Sequence, residues 1–189
     1  AGYVRHSPEK PLGAAELSSL QPSETGFVMI RDEQARIREL PGCDCATAFD
    51  IGDHSDIHPK NKQEVGSRLA ALALNRTYGQ TKTICSAPMY EGYTIEGSQV
   101  RVRFSMPTGS EPFVADKNLS GFSIQDADGN WKVAEARTDG QTVVVSHPEV
   151  VAPVAVRYGW ADNPNCTLHT RSGFPVAPFR TDWVSVLEN

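Results

Sequence analysis

The spacing of apolar residues predicts two helices and a strand in the first half of the chain. Residues 26–40 carry apolar side chains at helical spacing with charged residues between them, and Pro41-Gly42 predicts the end of that helix. The run Cys45–Ile51 is short, nearly uncharged and bounded by glycines, which is typical of a strand buried on both faces in a parallel sheet. Residues 1–25 are rich in proline, serine, glycine and glutamate, a composition that predicts a loop around a short helix near Gly13–Leu20.

A second helix is predicted from Pro59 to about Tyr78. Proline suits the first position of a helix because its φ angle is fixed and it has no N–H that would stay unpaired there. Gly79 is a typical residue at which such a helix stops. The helical spacing predicts a buried stripe made of Val65, Leu69, Leu72 and Ala73.

Beyond Gly79, glycine and proline separate short segments in which apolar and polar residues alternate, as in half-exposed strands. A hairpin turn is predicted at Asp126–Asn130, because aspartate, glycine and asparagine favour tight turns. The predicted strands are residues 98–104, 121–125, 131–134, 141–146 and 154–158. These segments predict an antiparallel β module.

The order of these elements places the chain in the α/β class. Residues 1–80 are expected to form an α/β segment and residues 81–189 a β-rich accessory module. A chain of 189 residues is long enough for a medium domain, or for a small domain with part of another.

Charge and composition exclude some classes of partner. The net charge is -5 and no dense cluster of lysine and arginine is present, so a nucleic-acid partner is not expected. No apolar run approaches the ~20 residues of a membrane span. Four cysteines allow three pairings; a Cys85–Cys166 bridge is possible in an oxidising compartment, whereas Cys43-Asp44-Cys45 lacks the spacing of a zinc site. Neither a metal nor a cofactor is predicted.

The strongest candidate for chemistry is the acidic loop that follows the predicted strand. A histidine at His58, between the end of a buried strand and a helix, lies where α/β enzymes carry reactive groups. Imidazole suits general-base work on a hydroxyl, and Asp56 or the more distant Asp53 could hold its tautomer. Spacing alone favours a simpler interpretation, a solvated acidic loop with two incidental histidines, His54 and His58.

Three tryptophans and two arginines leave alternatives open. Trp131, Trp160 and Trp183 could line a platform for sugar rings, although packing in a core is the more common role of such residues. Arg31 and Arg157 could contact a substrate, but pairing with carboxylates is favoured for both.

An ordered set of motifs resembles the SGNH-hydrolase carbohydrate esterases of the sialate O-acetylesterase type, a group that includes hemicellulose and xyloglucan acetylesterases. The central block reads FDIGDHSDIHPKNKQEVGSRLAALALNRTYG over residues 49–79. Further matching segments, from about residue 26 onward, are Ile30–Gln34, Leu119–Phe122, Asp128–Trp131, Val156–Trp160 and Pro178–Asp182. The resemblance therefore implies the C-terminal part of a flavodoxin-like, three-layer SGNH sandwich followed by the β module.

The resemblance assigns His58 as the catalytic histidine. In this family, a serine in an early Gly-Asp/Gln-Ser motif attacks the acetyl carbonyl, and the histidine activates that serine. An aspartate often lies three residues before the histidine, but Ser55 occupies that position here. The orienting group is therefore either Asp56, with Asp53 a weaker candidate, or a backbone carbonyl.

The serine motif itself is absent from this sequence. By the order of the family's motifs, the nucleophile is expected N-terminal to Ala1, either on a fragment of the same enzyme present as a second chain or on the first half of a nicked protein. The expected substrate is an O-acetylated carbohydrate, either sialic acid or a hemicellulose such as xyloglucan. The expected location is secreted, periplasmic or lysosomal. The alternative from another class is a non-catalytic β-sandwich carbohydrate-binding module.

Overall fold

The computed structural model describes residues 27–53, 56, 58 and 60–182. The helical elements come first along the chain, followed by eight strands. The helical elements are α1 (Phe27–Ala35), a 3₁₀ helix (Arg36–Glu39), a 3₁₀ turn (Phe49–Ile51), α2 (Lys62–Leu72) and a π-helical turn (Ala73–Thr77). The strands are β1 (Met89–Glu96), β2 (Gln99–Ser105), β3 (Phe122–Gln125), β4 (Trp131–Val133), β5 (Glu135–Asp139), β6 (Thr142–Ser146), β7 (Ala155–Tyr158) and β8 (Phe179–Arg180).

The strands form two four-stranded antiparallel sheets, in the orders β1-β2-β6-β5 and β4-β3-β7-β8. One apolar core is shared by both sheets. It includes Val102 and Val143 of the first sheet and Ile124 and Val156 of the second, all fully buried. Aromatic rings join the sheets, since the ring of Phe179 stacks on Tyr90 at 4.7 Å and meets Phe104 edge-on at 5.7 Å.

The prediction of antiparallel strands from the alternating pattern is confirmed. All five predicted strands are present within two residues of their expected ends, and the hairpin between β3 and β4 turns through residues 126–130. There Asp126 Oδ1 accepts hydrogen bonds from the N–H groups of Asp128 and Asn130, and Gly129 has a φ angle of +87°. Strands β1, β5 and β8 were not predicted. Gly92 interrupts the pattern of β1, where the register also shifts.

The predicted parallel strand at Cys45–Ile51 is wrong within the part of the chain that the structure describes. Residues 43–48 have no regular structure and pair with no described strand, and residues 49–51 form the 3₁₀ turn. A strand needs a neighbouring backbone, but here the carbonyls of Cys45 and Thr47 accept hydrogen bonds from the guanidinium groups of Arg38 and Arg68. The described fold is therefore a mixed α/β arrangement with two antiparallel sheets.

The first predicted helix is confirmed as α1 and the 3₁₀ helix after it, with Gly42 at a φ angle of +76° beyond its end. Helix α2 begins at Lys62, later than predicted, because Asn61 caps it by accepting a hydrogen bond from the Glu64 N–H at 3.1 Å. Pro59 and the predicted helix at 13–20 lie outside the described residues.

The predicted stripe of α2 is also wrong in part. The buried residues of α2 and the π-helical turn are Arg68, Leu72 and Asn75, whereas Leu69 is 50% exposed. This stripe is rotated relative to the prediction because Arg68 is buried in ion pairs and Asn75 donates to the carbonyls of Thr81 and Thr83.

The possible Cys85–Cys166 bridge does not form: all four cysteines are free thiols. Cys85 lies beside Gly109 and Asn75, and Cys166 lies beside Gly121 and Gly159. No helix within the described ranges is long and apolar enough to cross a membrane.

Candidate active site

The acidic loop runs from the 3₁₀ turn to the N-cap of α2, residues 51–61. Phe49 in the 3₁₀ turn is 6% exposed and anchors the beginning of the loop, and the Asn61 cap fixes its end. Between these anchors the loop carries Asp53, Asp56 and His58. His54 and Ser55 lie outside the described residues.

His58 and Asp56 are in direct contact. Asp56 Oδ1 accepts a hydrogen bond from the His58 backbone N–H at 2.8 Å and lies 3.1 Å from His58 Nδ1. A carboxylate at Nδ1 favours the tautomer whose proton is on Nδ1, which makes Nε2 available to accept a proton. The His58 side chain is 80% exposed, so its ring is open to solvent on this chain.

The hydrogen bonds that Asp56 accepts favour its ionised form. The hydrogen bond from the His58 backbone N–H, and then that from its side chain, lower the pKa of the Asp56 carboxyl. The charge of Asp53 acts in the opposite direction on that pKa. Of the two predicted carboxylates, it is Asp56 that lies in contact with His58 Nδ1.

A buried arginine that the sequence interpretation did not single out lies beneath this loop. Arg68 of α2 donates to both carboxylate oxygens of Asp50, each at 2.7 Å, and to the Thr47 carbonyl at 2.6 Å. It also donates from Nε to Glu64 at 3.0 Å. The sequence carries only a weak signal for this network: an arginine four residues after a glutamate, beside the apolar positions of a helix.

A hollow of about 420 Å³ lies between α1, α2 and residues 44–52. Apolar side chains on its wall are only partly covered; Ile37 is 41% exposed and Leu69 is 50% exposed. Ala46 and Ala48, from the segment predicted to be a buried strand, line the same hollow. Such a concave apolar surface is typical of a binding site or an interface.

The tryptophans and arginines pack together beside the second sheet. The Arg157 guanidinium lies 4.2 Å from the centre of the Trp131 ring and 5.1 Å from that of Trp160, and its Nε donates to Asp182 at 3.1 Å. Trp160 is 4% exposed. These contacts support the packing role for Trp160 and the carboxylate pairing predicted for Arg157. Trp183 lies outside the described residues.

The described hydrogen bonds of Arg31 are also structural, but they go to the main-chain carbonyls of Gly159, Ala161 and Asp162 instead of the carboxylates that were predicted. Among the described residues, no three histidine, cysteine, aspartate or glutamate side chains lie together so that they could hold a metal ion.

No family model matches this chain, but known proteins resemble most of its length. The sialate O-acetylesterase of Rattus norvegicus is 29% identical over 192 aligned positions, which cover 89% of this chain and 35% of that protein. The crystal structure of a carbohydrate acetylesterase from Xanthomonas citri superposes with a TM-score of 0.78 at 38% identity, and the match covers 83% of this chain and 36% of that one.

The chain thus spans about a third of the length of each of these two proteins. Sequence and fold agree on the kind of protein that it matches, since both comparisons lead to acetylesterases, one named for sialate and the other for carbohydrate. Over most of its own length, the chain resembles a carbohydrate acetylesterase.

Proposed function

We propose that this chain supplies the catalytic histidine, His58, of a carbohydrate O-acetylesterase whose serine nucleophile lies on a polypeptide segment outside this sequence. The observation that carries the proposal is the contact between Asp56 Oδ1 and His58 Nδ1 at 3.1 Å. That contact leaves Nε2 free to take a proton from a hydroxyl group. The comparisons support the acetylesterase reaction, because both proteins are named for it.

In the proposed reaction, His58 Nε2 removes the proton from the serine hydroxyl as its oxygen attacks the acetyl carbonyl. The tetrahedral intermediate collapses, the sugar oxygen leaves, and His58 returns the proton to it. Water then attacks the acyl-enzyme with His58 again as base, which releases acetate and frees the serine. Asp56 orients the imidazole and stabilises its protonated form, and no cofactor is needed.

The surface of the chain supports a second segment as the missing partner. The hollow between α1 and α2 exposes apolar side chains, and residues 45–48 beside it pair with no strand in the described part of the chain. An N-terminal fragment of the same enzyme would cover this surface, and residues 1–80 would then be the C-terminal segment of an SGNH esterase catalytic domain. Residues 81–189 would then form an accessory module beside it.

The proposed substrate is an O-acetylated carbohydrate, either sialic acid or a hemicellulose such as xyloglucan, and the proposed location is on the secretory route. The rival function, a non-catalytic carbohydrate-binding module, is favoured by the β-sandwich alone. It would require the isolated chain to bind sugars and would give His58 no role.

The test is acetate release by the esterase assembled from this chain and the serine-bearing segment, with acetylated xyloglucan and O-acetylated sialic acid as substrates. We expect His58→Ala to lower kcat by about 10³-fold or more, since the serine loses its base. His169→Ala is the matched control, because His169 is an exposed histidine in the β module. Equal activity of the two variants would contradict the proposal.

A further inference from the structure

The two ends of the loop that carries His58 are connected through one side chain, Arg68. At the beginning of the loop, Arg68 holds Asp50 through two hydrogen bonds of 2.7 Å and the Thr47 carbonyl through one of 2.6 Å. At the end of the loop, it holds Glu64, in the first turn of α2, at 3.0 Å. The same turn is capped by Asn61.

Burial makes this arrangement specific. The Arg68 side chain is 5% exposed, so its donors are shielded from solvent, whereas the side chains of Asp50 and Glu64 are 25% and 42% exposed. Its planar guanidinium matches the two oxygens of Asp50, a geometry that lysine cannot reproduce. Arg68 Nη2 also lies 3.5 Å from the Gly173 carbonyl, so the same side chain reaches the β module.

Among the described residues, none outside the loop makes a comparable contact with the His58 side chain. Its ring is exposed, and its described contacts are those with Asp56 on the same loop. The position of the imidazole relative to the rest of the protein therefore depends on how firmly the ends of the loop are held. Proton transfer from a serine requires such positions to be held within about 0.5 Å.

We propose that Arg68 is a positioning residue for the esterase reaction: by fixing Asp50 and Glu64 together, it holds both ends of the loop 51–61 and thereby sets the position of His58. This inference rests on the proposed function, because it assigns Arg68 a role only if His58 is the base. Arg68 touches neither substrate nor serine in this scheme, so its effect should fall on the rate of the chemical step.

The experiment measures kcat and KM of the assembled esterase, with kcat expressed per active site titrated by a serine-directed fluorophosphonate. We expect Arg68→Lys to lower kcat per titrated site by about 10- to 100-fold and to change KM by less than about threefold, because a misplacement of about 1 Å at a reacting group can cost that much. A purely structural role would reduce the titrated fraction and leave kcat per site unchanged.

Two further variants keep the test decisive if Arg68→Lys does not fold. Asp50→Asn preserves the size of the side chain and weakens the ion pair, and Glu64→Ala changes a partly exposed residue at the other end of the loop. We expect both to lower kcat per site, Asp50→Asn by about tenfold and Glu64→Ala by about threefold. Wild-type kcat per site in the variants that fold would overturn the inference.

Arg76→Lys is the matched control. Arg76 lies one turn beyond α2, and it pairs with Asp44 at 3.4 Å and with the Thr108 carbonyl at 2.6 Å, away from the loop. Its kcat per site should equal that of the wild type. The two proposals fail separately: an active His58→Ala variant contradicts the function, whereas an inactive His58→Ala together with a fully active Arg68→Lys contradicts only the positioning role.

Discussion

At the scale of single residues, the candidate site depends on one carboxylate. Asp56 Oδ1 accepts from both the main chain and the ring of His58. Replacing His58 with alanine would remove only the hydrogen bond from the ring, because the backbone N–H remains when the imidazole is removed. The alternative orienting group, a backbone carbonyl, would leave Asp56 without effect on the reaction.

The first prediction concerns the pKa of the Asp56 carboxyl, measured by NMR titration of its side-chain carbon. We expect this pKa below its usual range, since both hydrogen bonds favour the ionised form. His58→Ala should raise the pKa only partly, because the backbone bond remains. The Asp126 carboxyl, whose pKa is lowered chiefly by the backbone N–H of Asn130, is the internal control and should not move. An Asp56 pKa unaffected by His58→Ala would exclude the ring contact.

At the scale of elements, α2 shows how a charged residue can take a core position. Helical spacing places Leu69 and Leu72 on one apolar stripe, but the structure buries Leu72 and Arg68 and leaves Leu69 at the hollow. An arginine is buried at little net cost only when carboxylates and carbonyls satisfy its donors. Asp50, Glu64 and Thr47 do so here.

The second prediction compares two leucines of α2 in urea unfolding of this chain. Leu72→Ala removes a side chain that is 7% exposed and should lower the free energy of unfolding by about 2–4 kcal/mol. Leu69→Ala, at 50% exposure, should cost less than about 1 kcal/mol. If Leu69→Ala proved as costly as Leu72→Ala, the hollow would be closed in this chain.

At the scale of the whole molecule, α1 is fastened to the second sheet by polar contacts. Arg31 donates to the carbonyls of Gly159 and Asp162 at 3.2 and 3.1 Å, and Asp32 pairs with Arg180 of β8 at 3.0 Å. Burial raises the pKa of the Asp32 carboxyl, and the charge of Arg180 opposes that rise. These contacts hold one wall of the hollow against the β sandwich.

The third prediction tests this connection by hydrogen exchange. Arg31→Met keeps an unbranched side chain but leaves the carbonyls without their donor, so amide exchange in α1 should become at least about tenfold faster. The exchange of β2 and β6 should not change, because those strands lie in the other sheet. Gln34→Met is the control, since Gln34 is an exposed residue of α1. Equal exchange in both variants would show that Arg31 does not fasten the helix.

Much of the β module could be predicted from the sequence because its signals are local. Alternation along residues 99–105 and 142–146 determines which side chains face the core, and Asp126 and Gly129 determine where the hairpin turns. The unpredicted β8 has two residues, too few to show a period, and it forms through pairing with β7. Strand length alone does not explain the other missed strands, since β1 with eight residues and β5 with five were missed while β4 with three was predicted.

For the candidate site, the sequence determined the loop, its two candidate residues and its likeness to an esterase motif, because order and spacing are properties of the chain itself. Only the tertiary structure decided which carboxylate contacts His58, which residue of α2 is buried, and that Cys45–Ala48 pair with no described strand. The burial of Arg68 depends on partners distant in the sequence, whereas Asp56 lies two residues from His58 and their contact depends on the conformation of the loop. Arg68 lies 18 residues from Asp50, and no periodicity within the helix connects them.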